Sequence, residues 1–165
     1  GVKKMQHITS QVSASDLRSF FFAGSTIGSY IIFPSKRVNN QMTINGARGV
    51  NSKIQDRFDL SLECIRRFYL NQESPLEKVF ERYSSFFDLF GDFRGYVDFF
   101  LLQDLVNEGF ESIRFWHPFT DFDGAPLPDD LESYLAYRTK SMNFSRSRNY
   151  RIEMYVKQLN EHRRN

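Results

Sequence analysis

Phe58, Leu62, Ile65 and Tyr69 recur at i, i+4, i+7 and i+11, a spacing that predicts a helix with one core-facing stripe. Asp56, Asp59, Glu63, Arg66 and Arg67 fall mostly on the other face, with Glu63 and Arg67 one turn apart. Asp56 or Asp59 is a natural cap for its first turn. Downstream, Ser74-Pro75-Leu76-Glu77 reads as a capping box with proline at the first helical position. The helix it opens carries Leu76, Val79, Phe80, Tyr83, Phe86, Phe87 and Phe90 on one face and stops at Gly91. Asp92 restarts a helix through the apolar run 99–102, which closes at Gly109 and takes a central position. Ser15-Asp16 caps a helix through Leu17 and Phe20–Phe22. Asp129 or Asp130 starts a last helix to about Leu159, with a break near Asn143. Two short runs, 29–33 and 110–116, fit strands as well as helix ends. The pattern predicts a mainly α, single-domain, helical bundle-like fold over 1–165, with at most a small β element.

Before the helix at Phe58, the pattern dissolves. Residues 34–57 hold Asn39, Asn40, Asn45 and Asn51, with Gly46 and Gly49 around Ala47-Arg48. Asn and Gly tolerate positive φ, so a tightly turned backbone with free N–H groups is expected. Lys36, Arg37, Arg48, Lys53 and Arg57 stand against one acid, Asp56. Free N–H groups beside cations suit an anion. Gly46-Ala47-Arg48-Gly49 also resembles the GxxG loop with which KH domains clamp a nucleic-acid backbone.

Charge sharpens this reading. The net charge of +2 conceals three blocks: 1–72 is basic by six, 73–137 acidic by ten, and 138–165 basic by six. Either the blocks neutralise one another on folding or between copies of a homo-oligomer, or the basic ones face a polyanion. In the last helix, Tyr134, Tyr137, Phe144, Ile152, Tyr155 and Leu159 interleave with Arg138, Lys140, Arg146, Arg148, Arg151 and Lys157. That suits a nucleic-acid backbone or a packed terminal helix with a wet basic face.

Cys64 is the only cysteine, so no intramolecular disulfide forms, and a cytoplasmic setting is expected. No run is long enough to span a bilayer, and no membrane partner is expected. His7, His117 and His162 lack metal spacing, so no zinc site is expected. The Asp-Phe-Asp-Gly turn at 121–124 lacks the further ligands of a calcium loop.

The runs TINGARGVNSKIQDRFDLSLECIRRFYL, SPLEKVFERYSSFFDLFGDFRGYVDFFLLQDLV and FWHPFTDF resemble an uncharacterised bacterial family, a domain of unknown function. The resemblance implies a bacterial or phage-related intracellular protein and carries no activity; members of that family carry a further polar N-terminal segment, which this sequence is expected to lack or to diverge from. From the residues themselves, the leading expectation is a binding protein for a phosphate-bearing ligand, nucleic acid or nucleotide. Asn45, Gly46, Arg48, Asn51, Lys53, Arg57 and Arg66 would form its site. The alternative is a metal-assisted hydrolase or nuclease with Asp56, Asp59 and Glu63 as divalent-metal ligands or general base. A third is a protein–protein interaction module. No cofactor is expected apart from that metal.

Overall fold

The computed structural model describes residues 2–124 and 126–164. They form α1 (Val2–Thr9), α2 (Ala14–Gly24), α3 (Ile44–Val50), α4 (Phe58–Tyr69), α5 (Glu77–Glu81), α6 (Ser84–Asp88), α7 (Phe93–Phe99) and α8 (Leu131–His162). Short 3₁₀ turns lie at Ile27–Ser29 and Gln103–Leu105. The mainly helical class is as the periodicity predicts. The strand runs do not form among the described residues; one antiparallel bridge, Val106 to Ile113, marks the second of them. The chain divides into two compact units: unit 1 takes 1–30 with 128–165, and unit 2 takes 31–127.

In unit 1, Ile8, Val12, Phe20 and Tyr134 form the buried cluster that joins α1, α2 and α8. Ser13, not Ser15 or Asp16, caps α2 by accepting from the Asp16 amide. Asp130 caps α8 by accepting from the Ser133 amide at 2.7 Å. α8 then runs unbroken through Asn143 for 32 residues. The turn Ile27–Ser29 lies against its middle. The Gly28 amide donates to Asn149 Oδ1 at 2.7 Å, and Asn149 Nδ2 donates to Thr26 Oγ1 at 2.8 Å.

In unit 2, the expected long helix after Pro75 breaks into α5 and α6 at Arg82-Tyr83. The Ser74 side chain caps nothing; α5 starts at Glu77 after Leu76. Gly91 (φ 77°) makes the predicted stop, and Asp92 caps α7 through the Gly95 amide. α7 ends early because Leu101 takes φ 55°, a left-handed turn that no helix continues through. Phe99 is therefore exposed, while Leu102 turns inward. The core is aromatic: Phe68, Phe80, Phe86, Phe87, Phe90, Tyr96 and Phe100 make edge and tilted ring contacts at centroid distances of 4.7–6.5 Å. Tyr69 joins it, and its hydroxyl donates to the Phe87 carbonyl at 2.7 Å.

α4 departs most from its sequence pattern. Every residue from Phe58 to Ile65 is buried, Asp59, Ser61 and Glu63 included. Surrounding chain covers both faces, so the polar face is inside unit 2. Neither Asp56 nor Asp59 caps it; Arg57 is the capping position and gives no side-chain cap.

Candidate functional site

The middle of the predicted anion loop, Ile44–Val50, is a helix. Thr43 caps α3, its hydroxyl accepting from the Gly46 amide at 3.2 Å. The Ala47 and Asn51 amides bond back to Thr43 and Ala47 carbonyls. Gly46-Ala47-Arg48-Gly49 therefore offers no row of free N–H groups, and the KH-like reading of these residues does not hold. Positive φ occurs where asparagine makes it cheap, at Asn39 (51°) and Asn40 (57°), and again at Gln55 and Asp56.

The structure does bring Arg48 and Asn45 to α4. Arg48 Nε donates to Ser61 Oγ at 2.7 Å, one Nη donates to Asn45 Oδ1 at 3.3 Å, and the other pairs with Asp56 at 3.3 Å. Its guanidinium stands 5.7 Å from the Phe33 ring centre. The side chain is buried, and that burial holds its pKa below the usual arginine value against the pull of Asp56. Arg48 is thus a tie between α3, Asp56 and α4. Ser61 Oγ passes the chain of bonds on to the Arg57 carbonyl.

Arg57 and Asp59 form a fully buried fork, 1% and 0% exposed. Arg57 Nε and an Nη donate to the two Asp59 oxygens at 3.0 and 2.5 Å. The Trp116 amide donates to Asp59 as well, at 2.8 Å. Arg57 also donates to the Pro126 and His117 carbonyls. The pair therefore ties 115–126 to the start of α4. Glu63 is held likewise. Arg66 donates to both of its oxygens at 2.8 and 2.9 Å, and Arg67 Nε donates at 2.8 Å. Asp59 and Glu63 face arginines, and Asp56 lies on the surface. These three carboxylates do not converge on a metal or on a substrate proton. Among the described residues no group of three His, Cys, Asp or Glu has metal-holding geometry.

Asn51 ends α3 and accepts the Lys53 amide at 2.9 Å. Lys53 lies apart from the buried network, on an open cleft of about 310 Å³. Arg67, Glu73, Ser74, Glu77, Asp121, Phe122 and Asp123 share its wall. Lys53 pairs with Asp123 at 3.1 Å and Arg67 with Asp121 at 3.2 Å. The Phe122 amide, then Arg67 and Lys53, hold Asp121 below the usual carboxylate range. Four carboxylates against two paired cations make this cleft unfavourable for a phosphate.

The net charge is positive in unit 1 and negative in unit 2. Unit 1 carries eleven Lys and Arg against six Asp and Glu; unit 2 carries eleven against fourteen. Arg148, one of the basic residues expected either on a nucleic-acid backbone or on a wet face, is buried instead and donates to the Gly28 and Tyr30 carbonyls at 3.2 and 2.6 Å. Beyond it, α8 is exposed nearly all round. Arg146, Tyr150 and Lys157 fall within about 40° of one line along its axis, at about 100° per residue. The line is about 17 Å long at 1.5 Å per residue. Glu153 interrupts it and pairs with Lys157 at 2.7 Å. The sequence reading passed over Tyr150, although its spacing to Arg146 and Lys157, four and seven residues, is a legible helical repeat.

The architecture defines a mainly helical protein whose central helix is fixed by buried arginine–carboxylate pairs. The chain belongs to a family of unknown function, DUF6994, whose model matches residues 1–152. No curated protein and no solved structure matches it. No helix among the described residues is long and apolar enough to cross a membrane.

Proposed function

We propose that the protein binds a polyanion, nucleic acid, through the exposed basic part of α8. The observation that carries this reading is the line of Arg146, Tyr150 and Lys157 on the open face of that helix. A straight row of cations neutralises successive phosphates, and the ring adds stacking. The positive balance of unit 1 favours the same class of partner. The phosphate chemistry expected of 39–57 thus moves to a different element, because Arg48 and Arg57 are consumed inside unit 2. A cytoplasmic and bacterial setting is part of this proposal.

The test is fluorescence anisotropy of a labelled oligonucleotide with the full chain. Two phosphate contacts on a single strand predict a log–log salt slope of about −1.4. Arg146→Glu with Lys157→Glu weakens binding at about 50 mM salt and flattens the slope. No binding at low salt, or binding that ignores both salt and the double variant, overturns the reading. The opposite charge balances of the two units favour one competitor, pairing between copies of the chain. Light scattering distinguishes it: a dimer that dissociates as salt rises replaces the nucleic-acid reading if the oligonucleotide is not bound.

A further inference from the structure

This inference rests on the polyanion reading and names the kind of nucleic acid. Among the described residues six aromatic side chains are exposed: Phe21, Phe22, Tyr30, Phe99, Tyr150 and Tyr155. Five of the six belong to the positively charged unit 1. Phe21 and Phe22 are 77% and 75% exposed, although large rings usually find cover in a folded chain.

Their spacing to arginine is regular. Arg18 precedes Phe21 by three residues and Phe22 by four on α2. Arg146 precedes Tyr150 by four on α8, and Arg151 precedes Tyr155 by four. Residues three and four apart are surface neighbours on a helix, so each of these rings has a guanidinium one turn before it. Tyr30 lies at the end of the turn that packs on α8, its carbonyl accepting from Arg148 at 2.6 Å.

We propose that unit 1 binds single-stranded nucleic acid, with unpaired bases stacked on these rings and the neighbouring arginines on the phosphates. A ring stacks on any unpaired base, and a paired base inside a duplex presents no free face to it. A duplex offers its phosphates alone, so the arginines would serve both forms and the rings only one. Phosphate contacts without rings would give no preference for the single strand, since the duplex has the higher charge density.

The experiment compares a labelled oligonucleotide, single-stranded and annealed to its complement, in anisotropy titrations of the full chain. Three proteins are used: wild type, Phe21→Ala with Phe22→Ala, and Tyr150→Ala with Tyr155→Ala. Wild type should prefer the single strand by tenfold or more, since each stacked base is worth about tenfold. Each ring pair should lose about tenfold or more on the single strand and nothing on the duplex. Because the rings are exposed, circular dichroism of the variants should match wild type. Equal affinity for both forms, or ring variants that bind the single strand as wild type does, overturns this inference and leaves the polyanion reading intact. No binding of either form by wild type overturns both.

Discussion

Asp59 illustrates how burial changes the meaning of a residue. Its carboxylate is inaccessible and accepts from Arg57 twice and from the Trp116 amide once. Removing one partner of such a pair leaves a buried charge without compensation. Asp59→Ala should therefore cost about 3–5 kcal/mol, read from the urea midpoint. Arg57→Met combined with Asp59→Leu should cost clearly less, because both charges leave together. A double variant no better than the single one would show that the arginine's other contacts dominate. Cys64 offers a second test. Burial pushes its thiol up from 9.0 to about 12. The native state then favours the protonated thiol, so its contribution is fully present below the unfolded pKa and is lost as pH rises from about 9 toward 12. Tyr69 is shifted upward by burial as well and acts with the same sign. Cys64→Ala should flatten the fall in urea midpoint across that window, and an unchanged slope would refute the assignment.

At the scale of elements, some helix starts and stops were legible, while the caps read at Ser15-Asp16, Asp56 or Asp59 and Ser74 did not form. The Asp92 and Asp130 caps and the Gly91 stop use local chemistry that the sequence displays, an oxygen aimed at a free amide and a glycine at positive φ. The breaks within 76–109 were not legible. Leu101 at φ 55° is unfavourable by itself, and the gain from turning Leu102 and Leu105 inward offsets it. The 3₁₀ turn at Ile27–Ser29 depends on contact too. A Cβ at Gly28 would stand 2.2 Å from the Ser145 carbonyl oxygen, a main-chain atom of α8. Gly28→Ala must separate the turn from α8 and lose the bonds of Asn149 and Arg148. We expect a loss of about 1–3 kcal/mol by thermal or urea unfolding, as for other overpacked sites. A variant as stable as wild type would mean that this contact is not made in solution.

For the whole molecule, circular dichroism should show a helical spectrum, and a strand signal exceeding helix would contradict the fold. Sequence by itself determined the mainly helical class, because a 3.6-residue apolar period and local capping need no distant partner. It also determined the supply of positive charge, since composition does not depend on folding. Tertiary structure alone decided which charges remain available. Arg48, Arg57 and Arg148 look like ligand arginines in one dimension, yet each is buried against oxygens that only the folded chain supplies. Arg146 and Lys157 differ from them in nothing a sequence prints and stay at the surface. The physical reason is that burying an ion requires partners arranged around it, and partners such as Ser61 for Arg48, or Gly28 and Tyr30 for Arg148, are brought there by packing over separations of 13 to 120 residues.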